Sequence, residues 1–203
     1  MPRAPGQIDR AKNEAILLAA GEVLAERGLS APMSMIARRA RVSKQTIYNH
    51  YGAKTDLIRA IANRRVALLT APIETPADEG HTEEKLAQYA KTLLSMVLAP
   101  ATFALMRLTI QSANDMPELA REVYDAGPRA SRAKLAAFIA AEHAAGRLDA
   151  PNAVEAAEAF IGMASGQRQT RALMGLPPET RVEDIERLSK EIAHRFVRAY
   201  APA

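Results

Sequence analysis

The chain's 203 residues, 48% hydrophobic and 25% charged, suffice for one or two globular domains with a real core, and the absence of cysteine excludes disulfides and thiolate metal sites and fits a cytoplasmic protein. The net charge of +4 is unevenly spread: residues 1–65 hold 12 Lys/Arg against 5 Asp/Glu, a balance of +7, and residues 66–203 hold 15 against 18, a balance of −3. A basic amino-terminal third on a mildly acidic body is the footprint of a chain that meets a polyanion at one end, and its patterned interior positions argue against a lone membrane-surface helix.

Residues 1–7 lack the apolar core of a signal peptide and read as a short mobile arm. Residues 33–51 read as two short helices joined by a tight turn, the pattern of a helix-turn-helix DNA reader. Ile36, Ala37 and Ala40 share one buried face of the first helix, with Arg38, Arg39 and Arg41 outside, and Pro32 suits its first helical position. Val42 turns inward, and Ser43 is predicted to cap a second helix over residues 44–51. Ile47 packs inward, while Lys44, Gln45, Thr46, Tyr48, Asn49 and His50 project. Gln45 and Asn49 have the donor–acceptor pattern for adenine, Thr46 can touch a thymine methyl, and Lys44, Tyr48 and His50 can reach phosphates. A merely solvated polar face is the plain alternative; the residue order across the whole block favours the reader.

Leu57, Ile58, Ile61, Leu68 and Leu69 mark a fourth helix that starts at Thr55 or its neighbours and is ended by Pro72. Residues 71–81, rich in proline and acid and without periodicity, read as a linker. Six more helices are expected near residues 82–98, 101–114, 116–126, 128–145, 151–174 and 182–200. Strict alternation is missing, so no β pattern competes. The uncharged run over residues 92–106 is too short to span a bilayer, and Pro100 splits it into two buried helices. The fold class is therefore all-α, with domains over residues 10–70 and 82–201.

Three segments of the first domain resemble the tetracycline-repressor (TetR) family of bacterial regulators. They are the stretch from Ile16 to Gly28, the series Ile36-Ala37 to Val42-Ser43-Lys44-Gln45-Thr46-Ile47-Tyr48, and the turn Tyr51-Gly52-Ala53-Lys54-Thr55-Asp56-Leu57. The resemblance implies an opening amphipathic helix, phosphate contacts from Lys44, Tyr48 and Lys54, and base reading by Gln45, Thr46 and Asn49. Arg41, Ser43 and His50 join the candidate DNA-contacting set. Arg41 departs from the family, which usually has glycine at that turn, and implies either a differently shaped turn or a backbone cost of roughly 1 kcal/mol offset elsewhere. Ala31-Pro32 departs too, because the family usually offers hydroxyls there and proline cannot donate to a phosphate. In the body, residues 107–128 are similar to the carboxy-terminal domain of an AefR-like subgroup of the family.

Two features of the body are candidates for function. Small and apolar Ala157, Phe160, Ile161 and Ala164, with the stripe Ile185, Leu188, Ile192 and Phe196, suit close helix packing; the family uses its last two helices as a dimer-forming four-helix bundle, while intramolecular core is the plain reading. Tyr89, Met96, Phe103, Met106 and Ile110, followed by Tyr124, Phe138, Phe160 and Met163, could line an apolar effector pocket, with Arg107, Gln111, Asn114 or Gln167 as polar groups, while plain core is the ordinary reading of such a stripe. Glu191 and His194 have the Glu-x-x-His spacing of di-iron bundles, but no second copy exists among the four histidines, and no Walker loop, dinucleotide fingerprint or nucleophile elbow is present. The reading is a non-enzymatic homodimeric regulator without metal or cofactor, most simply a repressor that leaves a palindromic double-stranded DNA operator when a small molecule fills the body. A TetR-type activator, or a helical ligand-binding or scaffold protein without operator binding, is the alternative.

Overall fold

The apolar spacing of the amino-terminal third is realised as four helices: α1 (Arg10–Arg27), α2 (Met33–Arg39), α3 (Lys44–Tyr51) and α4 (Lys54–Glu74). The computed structural model describes residues 10–74 and 81–202, so the expected arm and most of the expected linker lie outside it. It continues with α5 (Thr82–Leu98), α6 (Pro100–Gln111), α7 (Pro117–Tyr124), α8 (Ala130–Ala144), α9 (Ala153–Leu173) and α10 (Ile185–Ala199). There is no strand among the described residues, and no single helix there is long and apolar enough to cross a membrane.

Two compact units form, and each takes non-contiguous chain: one runs through Arg64 and adds Ala101–Ala126, the other holds Arg65–Pro100 and continues from Gly127. In the first unit, Ile16, Leu24, Ile36, Ile47 and Leu57 have no exposed surface and form one core with Ile58 and Ile61. Leu105 of α6 and Leu119 of α7 complete that core, so two helices that sequence alone groups with the body bury their apolar faces among the first helices. Fully burying such a side chain is worth about 1.5–3 kcal/mol.

Helix ends explain the turns. At the end of α2 the Val42 amide donates to the Ala37 carbonyl (3.0 Å) and the Arg41 amide to the Arg38 carbonyl (3.2 Å), the paired bonds of a Schellman stop. That motif needs a left-handed residue after the cap, and Arg41 supplies it at φ 56°, the only non-glycine with positive φ among the described residues. The same two bonds end α8 at Gly146 and α9 at Gly175, where glycine takes the position without a Cβ penalty. The Arg41 turn thus keeps the usual shape, and the backbone cost is real.

Two sequence expectations are corrected. Pro32 is the N-cap of α2, not its first helical residue: its ψ of 144° is extended, and its carbonyl accepts from the Met35 amide (2.9 Å). Pro72 does not end α4, which runs to Glu74. A proline this near the end forfeits one ladder bond, and Ile73 is buried in the second core while Glu74 accepts from Thr70 (2.9 Å) and Lys134 (2.5 Å). The start of α4 is fixed by Asp56, whose carboxylate accepts from the Ala53 amide (3.1 Å).

In the second unit α10 packs on α5, and α9 packs on α5 and α8. Tyr89, Leu94, Leu135, Phe160 and Phe196 form the centre of its core. Phe160 meets Phe196 edge-to-face at 5.0 Å between ring centroids. Glu142, 1% exposed, accepts two bonds from Arg147 (2.7 and 2.8 Å) and one from Thr82. Those bonds hold its carboxyl below the usual range despite burial. Pro128 sits in a π-helical turn, Asp125–Arg129, that leads into α8, because a residue without N–H cannot keep the ordinary ladder. Inside α9, Gly166 is non-helical (φ 35°, ψ −134°) and breaks the helix.

Candidate nucleic-acid interface

A short helix that must display most of its side chains needs a firm start and one deep anchor. α3 has both. The Ser43 hydroxyl accepts from the Thr46 amide (3.0 Å) and shares a second hydrogen bond with the Thr46 hydroxyl (2.7 Å), so the expected cap is present and Thr46 is half-buried beside it. Ile47 is fully buried, and at the far end the buried Tyr51 hydroxyl donates to Asn13 of α1. These anchors fix α3 against α1 and leave Lys44, Gln45, Tyr48, Asn49 and His50 exposed.

The exposed groups are already organised. Gln45 donates through Nε2 to Asn49 Oδ1 at 2.5 Å, one helical turn on, so the two amides stand as a pair whose remaining donors and acceptors face outward. Lys44 Nζ lies 5.5 Å from the centre of the Tyr48 ring, a cation–π contact that restrains both phosphate candidates. His50 stands edge-on to Tyr51 at 4.9 Å.

Cations around α3 divide into committed and free ones. Arg39 is held by Glu22 (3.0 Å) and Glu26 (3.0 Å) of α1. The Glu26 carboxyl is lowered from its ordinary value chiefly by that hydrogen bond. Lys54 donates to the Leu29 carbonyl (2.7 Å), which ties the start of α4 to the loop before α2 and uses one of its three N–H donors. Nothing in the sequence marks that tether, because its acceptor is a backbone atom. Arg38 and Arg41 are exposed, and their guanidinium groups have no partner among the described residues.

Residues expected to line an effector pocket are not gathered in either unit. Phe103, Met106, Arg107, Ile110 and Tyr124 belong to the first, with Ile110 and Tyr124 about half exposed; Tyr89, Met96, Phe160, Met163 and Gln167 belong to the second. Tyr89 is fully buried, its hydroxyl has at most a weak bond to Ser131 among the described residues, and burial pushes that phenol up. A groove of about 330 Å³ in the second unit is lined by Ile73, Phe138 and Ala141 with Glu74, Lys134 and Glu142; of the residues expected to line a pocket it includes Phe138 and none of the others.

The expected interface stripe lies within the chain's own core. Ala157, Phe160, Ala164 and Phe196 have no exposed surface, Ile185 and Ile192 are buried, and Ile161 and Leu188 are half-buried. The open side of α9 carries Val154, Ala159, Gly162 and Met163, all exposed. His194 faces Glu83 (3.3 Å), and Glu191 pairs with Arg187 and Arg195.

The chain matches two family models: residues 16–61 match bacterial regulatory proteins of the tetR family, and residues 84–202 match the AefR-like transcriptional repressor C-terminal domain. A TetR-family transcriptional regulator from Mesorhizobium loti is similar at 24% identity and TM-score 0.74, covering 96% of this chain and 100% of that one. A TetR regulator from Agrobacterium tumefaciens is similar at 24% identity and TM-score 0.73, covering 96% of each. The flavonoid-responsive regulator FrrA is 28% identical with TM-score 0.66, covering 94% of this chain and 97% of that one. No curated protein matches.

Proposed function

This chain belongs to the TetR family of transcriptional regulators, and from that premise we propose that it is a homodimeric repressor that binds a palindromic operator and leaves it when a small molecule binds the body. The observation that carries the reading is α3: a capped helix with Ile47 as anchor and the Gln45–Asn49 amide pair and Lys44–Tyr48 pair turned outward. Amide pairs suit adenine edges in the major groove, and cationic and phenolic groups suit the flanking phosphates.

A two-fold dimer would present two such helices to one duplex. The proposed partner surface is the open side of α9 with Val154, Ala159, Gly162 and Met163, because the inner stripe is already covered by the chain itself. The FrrA regulator responds to flavonoids, which makes flat aromatic molecules with hydroxyl groups the first class to try as effector. α4 begins in one compact unit and ends in the other, so it is the proposed route of coupling.

Selection from a randomised duplex library tests the reading. The expected product is an inverted repeat with half-site centres about 34–36 Å apart, or a small multiple of that. Recovery of no enriched sequence refutes operator binding.

A further inference from the structure

The geometry points to Arg41 as a phosphate-contact residue of the reader, kept in a left-handed backbone position for the sake of that contact. This rests on the DNA reading proposed above.

Three observations converge on it. The two other Schellman stops among the described residues, after α8 and α9, place glycine where α2 places Arg41. An L residue with a long side chain is disfavoured there, and such positions persist where function requires the side chain. Next, nothing inside the protein rewards the arginine: its side chain is exposed and its guanidinium has no partner among the described residues, whereas Arg39, two residues earlier, is bound by two glutamates. Finally, Arg41 lies two residues before the Ser43 cap and three before Lys44, at the opening of α3. In a helix-turn-helix the start of the second helix is the end nearest the base edges, with phosphates on both sides. A planar guanidinium there can grip a phosphate through two parallel N–H bonds.

The test compares Arg41→Gly, Arg41→Lys and Lys44→Ala by fluorescence anisotropy on a labelled duplex of random sequence, with melting measured at one protein concentration. Arg41→Gly is expected to melt about 2–4 °C higher, as relief of about 1 kcal/mol in a chain of this size implies. It is also expected to flatten the slope of log affinity against log salt by about 0.9 per bound protomer, so the loss of affinity between about 50 and 200 mM salt shrinks about 3.5-fold for each. Arg41→Lys should keep the wild-type slope without the gain in melting temperature. A wild-type slope in Arg41→Gly, while Lys44→Ala flattens it, overturns the Arg41 contact and leaves the reader intact. Wild-type protein that fails to bind the duplex at low salt overturns the DNA reading itself.

Discussion

Replacing Phe196 by alanine separates two roles that one apolar stripe could play. The ring has no exposed surface; it meets Phe160 at 5.0 Å and Tyr200 at 4.6 Å between centroids. Truncating a buried Phe costs about 3–5 kcal/mol, of which each ring–ring contact accounts for about 0.5–1.5 kcal/mol. At about 2–4 °C per kcal/mol for a chain of this length, the melting midpoint should fall by roughly 6–20 °C. Circular dichroism melts give the midpoint, and sedimentation velocity well below it gives the assembly state. The expected result is a large drop in midpoint with unchanged sedimentation. A variant that melts like the wild type but sediments as a smaller species would refute the reasoning, because Phe196 would then have to face a partner and not its own core.

Met163→Glu, on the open side of α9, should show the reverse, with near-normal melting and loss of dimer by sedimentation; an unchanged dimer moves the interface off this face. Gln45→Ala and Asn49→Ala should each weaken selected operator DNA by about 1–3 kcal/mol, and, because the two amides are joined at 2.5 Å, the double variant should lose less than the sum. Additive losses in binding titrations would mean that the pair reads bases independently. Tyr89→Phe removes a buried hydroxyl that has at most a weak bond to Ser131 among the described residues, so chemical denaturation should show stability unchanged or raised by about 1–3 kcal/mol; a loss would mean that the hydroxyl is firmly bonded in solution. The Glu142 carboxyl is lowered in the folded protein, first by its bonds from Arg147, so its contribution is full above the ordinary carboxylate range and is lost as pH falls through the folded value. Glu142→Gln should therefore melt lower at neutral pH and lose less on acidification, and parallel melting curves against pH would contradict this.

The reader was legible because its signals are local. Ser43 caps, Ile47 buries and the flanking polar residues project, all within one or two turns, and the helices of the body fall within a few residues of their expected bounds. What a local pattern omits is the identity of the covering surface. The stripe from Ala157 to Phe196 is buried as its spacing requires, but periodicity does not say whether the cover is the same chain or another. The apolar faces around Leu105 and Leu119 pose the same problem: they predict helices with one buried side, not that the side completes the core of α1 to α4. Arg41 is the opposite case, where the residue type argued against a conformation that the paired backbone bonds nonetheless impose. Pro72 shows the same balance, since one lost ladder bond weighs less than the burial of Ile73.

The cluster of Glu22, Glu26 and Arg39 has a bearing on how a duplex can be approached, as distinct from how tightly it is held. Two carboxylates against one guanidinium give the cluster itself a formal charge of −1, which Arg27 beside Glu26 offsets in part, near the cations of α2 and α3. A polyanion drifting over the surface meets attraction at Lys44 and repulsion here, so the cluster works as a fence that narrows the range of docking angles. Such a fence lowers grip on arbitrary DNA more than on a correctly seated site. Converting Glu26 to lysine should therefore raise affinity for random duplex while shrinking the ratio between palindrome and random sequence, and that ratio, measured at one salt concentration, is where the fence would be seen.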